Sequence, residues 1–156
     1  MCRVQDEKYI RYVTARLGAF SNVWWSAANE YNLFRSGYKA KKSGWQRILS
    51  CIRENDPYGH MLGIHQCLKH YDHRDKNLTH CSLQRTGMYV STELTGEMQA
   101  RYKKPVVWDE INYEGDIKPT FGNCTPQELV RHFWEAAVRA GFAGHGETYT
   151  DPDNIL

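Results

Sequence analysis

Four segments of the chain have the apolar spacing or the end signals of amphipathic helices. In Asp6–Leu17 and Gly44–Glu54, apolar residues recur at the spacing that places them on one helix face. The segment Ser91–Tyr102 begins with two residues, a serine and a threonine, that are typical helix caps. The segment from Thr125 has the cap, first-turn proline and early acid of a helix start, and Gly141 is its expected end. The pattern therefore predicts four helices.

Short apolar runs lie between and beside these helices, and their length favours buried strands. The runs are Asn22–Asn32, Met61–Ile64, Leu78–Leu83, Pro105–Glu110 and Phe142–Gly144. Strands that alternate with helices of about ten residues or more are typical of βα units and a parallel sheet. The chain has 156 residues and no internal boundary, so we expect a single α/β domain.

Composition restricts the classes of protein that the chain can belong to. Hydrophobic residues make up 41% of the chain and charged residues 24%, as in ordinary globular proteins, and the net charge of +2 does not favour nucleic acid as a partner. No apolar run reaches the roughly 20 residues of a membrane span, so no membrane partner is expected. The N-terminus lacks a signal-peptide core, which predicts a cytoplasmic location, and five cysteines without tight spacing favour free thiols.

Polar side chains stand at the carboxyl ends of all five predicted strands. Three strands end in a carboxylate near an amide or a hydroxyl group, and two end in a single polar group. These strand-end residues are Asn29, Glu30, Tyr31, His65, Gln84, Glu110, Tyr113, Glu114, His145, Glu147 and Tyr149. Parallel strands present their carboxyl ends on one side of the sheet, so these groups are predicted to converge on one cleft. Acids, amides, histidine and aromatic rings suit a sugar, which needs hydrogen-bond partners and aromatic surface.

Carboxylates are also the residue type that glycoside hydrolysis requires. One carboxyl group protonates the leaving oxygen, and the other attacks the anomeric carbon or activates water. Three of the strand ends carry such carboxylates: Glu30, Glu110 with Glu114, and Glu147. A carbohydrate is therefore the expected substrate, and no cofactor or metal is predicted.

Several stretches of the chain carry a resemblance to a known clan of enzymes. NVWWSAANEYN and KPVVWDEINYEGD resemble the fourth and seventh strands of the (β/α)8-barrel retaining glycoside hydrolases. The closer resemblance is to the apiosidase-like and related uncharacterised bacterial enzymes of that clan. This closer resemblance rests on KPVVWDEINYEGD, DPYGHMLGIHQ, LTHCSLQRTG and AGFAGHGETY. Because a complete barrel takes about 250 residues, the resemblance implies that residues 1–156 are a partial TIM-barrel catalytic domain, from about the third helix to the eighth strand.

The resemblance also implies roles for the strand-end residues. Glu30 would be the general acid/base, Asn29 would bind the sugar ring beside it, and Glu110 would be the nucleophile. The expected pocket wall consists of Tyr31, His65, Gln84, Tyr113, Glu114, His145, Glu147 and Tyr149. Gln84 stands where many clan members have a tyrosine, which leaves the hydrogen-bond partner of the nucleophile open. Strand alternation predicts that the Asp109 side chain turns away from the cleft.

Three alternatives to an active hydrolase remain open. The first is a truncated, inactive barrel fragment that binds sugar or another subunit without turnover, and its open strand edges predict a homo-oligomer. The second is a metal-binding module, because seven histidines and cysteines lie between His60 and Cys81, but their spacing favours structural histidines. The third, a cysteine hydrolase that uses Cys67 or Cys81, lacks a recognisable nucleophile turn.

Overall fold

The computed structural model describes residues 4–33, 42–84, 92–117 and 121–148, which form two compact units, Met1–His80 and Cys81–Leu156. The elements in chain order are α1 (Val4–Leu17), β1 (Trp25–Ser26), α2 (Lys42–Asn55), β2 (Leu62–Gly63), β3 (Cys81–Gln84), α3 (Leu94–Tyr102), β4 (Val106–Glu110), β5 (Glu114–Gly115), α4 (Pro126–Ala137), β6 (Phe142–Ala143) and β7 (Glu147–Thr148). All strand pairs among the described residues are parallel, so the α/β class with parallel sheets is confirmed.

In the first unit, the helices α1 and α2 pack together and β1 pairs with β2. Their core is formed by residues from α2, from β2 and from the loop that follows β2: Trp45, Ile48, Leu49, Ile52, Leu62, Ile64, Tyr71 and Leu78. The helix predictions for Asp6–Leu17 and Gly44–Glu54 are confirmed by α1 and α2, and the apolar face of α2 supplies half of this core.

The first predicted strand is much shorter than the apolar run that suggested it. Only Trp25–Ser26 is regular strand, although backbone hydrogen bonds to the β2 segment continue as far as Tyr31. Glu30 has a φ of 47°, in the left-handed region that L-residues with a β-carbon rarely adopt. This conformation cannot continue an extended strand, so the run from Asn22 to Asn32 bends at its end.

In the second unit, a three-stranded parallel sheet has the order β3-β4-β6, with α3 and α4 as the connecting helices. One face of the sheet packs against these helices, and its core comprises Cys81, Leu83, Met98, Val106, Trp108, Ile111, Cys124, Leu129 and Ala136. The indole Nε1 of Trp108 donates a hydrogen bond to Thr95 Oγ1 on α3 at 2.9 Å. The apolar residues of β3 and β4 therefore lie on the face of the sheet that packs against the helices.

The two helices of the second unit begin differently. Thr125 caps α4 with its side chain and forms a capping box with Glu128, as the sequence predicts. The cap of α3 is Glu93, which makes no side-chain capping bond, so the expectation of a Thr92 cap is wrong. The Thr92 hydroxyl donates instead to Glu135 Oε2 at 3.2 Å, and Ser91, the other expected cap, lies outside the described residues.

A two-stranded sheet of β5 and β7 has no counterpart in the sequence prediction. Glu114 pairs with Glu147, and Gly115 pairs with Thr148. Two-residue strands of polar residues and glycine have neither the alternation nor the apolar run that marks a strand in sequence. None of the described helices has the length and apolar character needed to cross a membrane.

Candidate active site

The end of β4 holds Glu110 against the neighbouring strand. Glu110 is the last residue of β4, and Gln84 is the last residue of β3, with which it is in register. The Gln84 Nε2 donates a hydrogen bond to Glu110 Oε2 at 2.6 Å, and Gln84 is only 4% exposed. Gln84 is thus a hydrogen-bond partner of the predicted nucleophile, which answers the question that the sequence left open.

A bulge lies immediately before Glu110. The register runs from Cys81–Val106 to Leu83–Trp108 and then shifts, so that Gln84 faces Glu110 and Asp109 is the extra residue. The Ser82 hydroxyl donates a hydrogen bond to the Asp109 carboxylate. Ser82 and Gln84 alternate with the apolar helix-facing residues of β3, so they share the opposite face. The expectation that Asp109 turns away from the face of Glu110 is therefore wrong, because the bulge interrupts strict alternation.

Tyr113 rests directly on the glycine of the His145-Gly146-Glu147 run. A β-carbon on Gly146 would overlap the ring carbons Cδ1 and Cε1 of Tyr113. On another side the ring meets Phe121 edge to face, with centroids 6.4 Å apart. Glycine at position 146 is needed for this close approach, and it fixes the position of a half-buried aromatic ring near the end of β4.

Replacing Gly146 by alanine is expected to displace the Tyr113 ring, because the new methyl group and the ring cannot occupy the same space. Overpacking of this kind costs about 1–3 kcal/mol, so the free energy of unfolding should fall by about this amount. The crystal structure and urea unfolding of Gly146→Ala test this. Gly96→Ala is the matched control, because a β-carbon there meets no atom within 4 Å. An unmoved Tyr113 ring would contradict the prediction.

The remaining predicted residues of the second unit lie on or beside the β5–β7 pair. The Glu114 N–H donates a hydrogen bond to the Gly146 carbonyl at 3.1 Å. Glu147 is its Cα partner in the parallel register. His145 is exposed, and Tyr149 lies outside the described residues. The structure thus brings Tyr113 and Glu114 beside His145 and Glu147 on two adjacent, paired segments.

In the first unit, His65 holds the segment that carries Asn29 and Glu30. Its Nδ1 lies 2.7 Å from Asn29 Oδ1 and 3.4 Å from the backbone nitrogen of Glu30. With the proton on Nδ1, the imidazole donates to the Asn29 amide oxygen, which is the shorter contact. His65 is 3% exposed, and its backbone N–H also donates to the Ala28 carbonyl. The predicted acid/base residue therefore sits in a strained conformation on a segment that a buried histidine fixes.

Tyr31 is placed differently from an open pocket residue. Its ring meets Trp45 and Tyr71 edge to face, and its hydroxyl donates to the Lys69 carbonyl at 2.9 Å. Burial raises the pKa of Tyr31 above its ordinary value. These contacts tie the strand end to the loop after β2, and the role of Tyr31 in sugar binding stays a prediction.

His60 and Cys81, which belong to the histidines and cysteines that suggested a metal site, lie in other environments. Within residues 4–33, 42–84, 92–117 and 121–148, no three His, Cys, Asp or Glu side chains are placed to hold a metal ion. His60 faces Asp56 through Nδ1 and the Phe20 carbonyl through Nε2. Burial raises the pKa of the Cys81 thiol to about 11, although the Lys104 charge opposes this, and such a thiol is a poor nucleophile at neutral pH.

Sequence reasoning missed three residues that shape the strand ends. These are Ser82, which bonds Asp109, Phe121, which flanks Tyr113, and Gly146, which lies under that ring. Ser82 stands two residues before Gln84, and this i, i+2 spacing is a signal that places both side chains on one face of a strand. No local signal marks Phe121 or Gly146, because their contacts depend on how distant segments fold.

The parallel α/β fold, with carboxylates at the ends of its strands, is similar to the fold of glycoside hydrolases. The chain belongs to the apiosidase-like family, since residues 2–151 match the family described as "Apiosidase-like, catalytic domain". No curated protein sequence gives a significant match.

Solved structures that are similar to the chain include the following two. The first is a candidate glycoside hydrolase from Bacteroides vulgatus ATCC 8482, with 31% sequence identity and a TM-score of 0.85 over 96% of this chain and 29% of that chain. The second is a beta-glucuronidase from Faecalibacterium prausnitzii, with 16% identity and a TM-score of 0.55 over 96% of this chain and 30% of that chain, a likeness of fold alone. The chain thus spans less than a third of each of these proteins.

Proposed function

We propose that the chain is part of a (β/α)8 barrel and supplies both catalytic glutamates of a retaining glycoside hydrolase. The observation that carries the proposal is Glu110, which ends β4 and accepts a hydrogen bond from Gln84 at the end of the adjacent parallel strand. Membership of the apiosidase-like family supports the substrate class, and the sheet order β3-β4-β6 with intervening helices supports the barrel.

In the proposed mechanism, Glu110 attacks the anomeric carbon while the bond from that carbon to the leaving oxygen breaks. Glu30 gives its proton to this oxygen, and the sugar remains as an ester on Glu110. Glu30, now a carboxylate, removes a proton from water, which attacks the same carbon and releases Glu110. Each of the two displacements inverts the anomeric carbon, so its configuration is retained overall.

The neighbours of the two glutamates supply orientation in this mechanism. The side-chain amide of Gln84 donates a hydrogen bond to one oxygen of Glu110. Because an amide does not ionise, the orientation of the Glu110 carboxylate does not depend on the protonation state of Gln84. Asn29, which His65 positions, is proposed to bind a sugar hydroxyl beside Glu30. Tyr113 offers an aromatic ring to the sugar face, with Glu114, His145 and Glu147 as further polar contacts.

The proposal predicts the distance between the two glutamates. In a retaining enzyme the two carboxyl groups lie roughly 5–5.5 Å apart, because the nucleophile must reach the carbon whose leaving group the acid protonates. A crystal structure of the protein with a bound monosaccharide would measure this distance. Glu30 and Glu110 on opposite faces of the sheet would refute the proposal, and roughly 6.5–9.5 Å would indicate inversion.

A further inference from the structure

The hydrogen bond between Ser82 and Asp109 lies beside the bond between Gln84 and Glu110, and the proposed mechanism uses only the second. We propose that Asp109 is a positioning residue for the nucleophile: anchored by Ser82, it fixes the bulge that turns Glu110 onto the face of Gln84. The effect on kcat that this inference predicts rests on the proposed function, whereas the positions that it assigns to Asp109 and Glu110 concern β3 and β4 alone.

Strand alternation shows why the bulge matters. Val106 and Trp108 face the helices, so an unbroken strand would point Asp109 to the opposite face and Glu110 back toward the helices. In the structure Glu110 meets Gln84 on the face opposite the helices, which requires one residue to be inserted before it. Asp109 is that residue, and a carboxylate facing the helix core would be unfavourable.

The bond from Ser82 suits the task of holding an inserted residue. A bulge leaves one residue without its regular ladder partner, which loosens the strand at that point. Ser82 is 2% exposed and lies in the middle of β3, so its hydroxyl is attached to a rigid, buried element. A hydroxyl that donates to a carboxylate forms a charge-assisted bond, which is stronger than one between neutral groups. Ser82 thereby holds Asp109 on β3, and Gln84, two residues further along the same strand, holds Glu110.

The chemistry of the proposed reaction makes this anchoring consequential. A nucleophile must lie about 3–3.5 Å from the carbon it attacks, and a misplacement of 1 Å costs about 10²-fold in rate. Asp109 itself need not touch the sugar to affect this distance. Loss of the anchor should therefore lower kcat and leave KM nearly unchanged, whereas loss of a direct sugar contact would raise KM.

The variants that test the inference are Asp109→Ala, Asp109→Asn and Ser82→Ala, with Glu97→Ala on the exposed side of α3 as the control. Asparagine keeps an oxygen that accepts from Ser82, so Asp109→Asn should retain most activity. Asp109→Ala and Ser82→Ala should each lose about 10- to 100-fold in kcat on 2,4-dinitrophenyl glycosides, with KM within about two-fold of wild type. A rise in KM alone, or equal losses for Asp109→Asn and Asp109→Ala, would overturn the inference.

Crystal structures of the same variants give a readout that needs no turnover. In Asp109→Ala and Ser82→Ala the distance from Gln84 Nε2 to Glu110 Oε2 should increase from 2.6 Å to beyond about 3.5 Å, and in Asp109→Asn it should not. Ser82→Ala leaves β4 intact and serves if Asp109→Ala does not fold. An unchanged distance in Ser82→Ala would overturn the inference. If wild type cleaves no glycoside, the proposed function fails, and this distance still decides whether Asp109 positions Glu110.

Discussion

Replacing Glu110 by glutamine is expected to abolish turnover of every glycoside, whatever its leaving group. The amide cannot form the ester with the anomeric carbon, and removal of a nucleophile costs more than about 10⁴-fold in kcat in comparable covalent mechanisms. Gln84 would still face a hydrogen-bonding group at position 110, so the fold around β3 and β4 should be preserved. Rates on 2,4-dinitrophenyl and on methyl glycosides of the same sugar measure this effect.

Replacing Glu30 by glutamine is expected to give a different pattern on the same two substrates. General acid catalysis contributes about 10²–10⁴-fold, so the methyl glycoside should lose that much in rate. The dinitrophenyl group leaves with little protonation, so formation of the glycosyl ester should be much less affected. The two substrates together therefore separate the acid from the nucleophile.

Matched controls exist on exposed faces of both units. Glu54→Gln on α2 and Glu97→Gln on α3 remove the same charge away from the strand ends and should behave as wild type. Equal losses of kcat/KM, which reports formation of the glycosyl ester, for Glu30→Gln on the two glycosides would remove Glu30 from the role of acid. A wild-type chain that binds the sugar but turns over neither glycoside would favour the non-catalytic alternative.

The helices and the parallel arrangement could be predicted from the sequence because burial imposes a pattern on them. The apolar face of α2 and the capping box of Thr125 and Glu128 are local signals, and both are present in the structure. The sheet of β5 and β7 could not be predicted, because its residues bury no apolar side chain in alternation. Thr92 was one of the two predicted caps of α3, but its hydroxyl bonds Glu135, which is 43 residues away in sequence.

The candidate site was predictable in part for a similar reason. A polar residue after an apolar run is visible in sequence, and this located Gln84 and Glu110 at the ends of β3 and β4, and Glu30 and His65 in the segments after β1 and β2. The bulge at Asp109 was not predictable, because alternation assumes a regular strand and the register of a parallel pair is set by both partners. The bond from Tyr31 to Lys69 spans 38 residues, and no local pattern encodes it.

The largest expected effect on stability concerns Asp56, which organises the segment between α2 and β2. Its side chain is fully buried and accepts three hydrogen bonds, from the Tyr58 N–H at 3.2 Å, from the His60 N–H at 2.7 Å and from His60 Nδ1 at 2.8 Å. The other ring nitrogen of His60 meets the Phe20 carbonyl at 3.1 Å. Asp56 thus connects the end of α2, the turn before β2 and, through His60, the segment after α1.

Asp56→Asn should lower the free energy of unfolding by about 2–4 kcal/mol, because an amide NH₂ would face the N–H donors and leave one of them unpaired in a buried position. Asp72→Asn is the control: its partner Arg74 is largely exposed, so its loss should cost less than about 1 kcal/mol. Urea unfolding at pH 7 measures both values. Equal losses for the two variants would show that Asp56 has no special structural role.

The same carboxylate should make stability depend on pH at the acid end. Burial by itself raises the pKa of Asp56, but the side-chain and backbone hydrogen bonds from His60, with that from Tyr58, outweigh it and hold the pKa below its ordinary value. A carboxyl group whose pKa is lowered on folding binds its proton more tightly in the unfolded chain than in the folded chain. Its contribution to the free energy of unfolding is therefore complete well above the unfolded pKa of about 3.9. That contribution is lost as the pH falls below this value through the lower pKa of the folded state. Unfolding free energies of wild type and Asp56→Asn should therefore converge as the pH falls below about 4, because the variant has no proton to bind at this position. A difference that stays constant over this range would mean that Asp56 stabilises the fold by its shape alone and not by its charge.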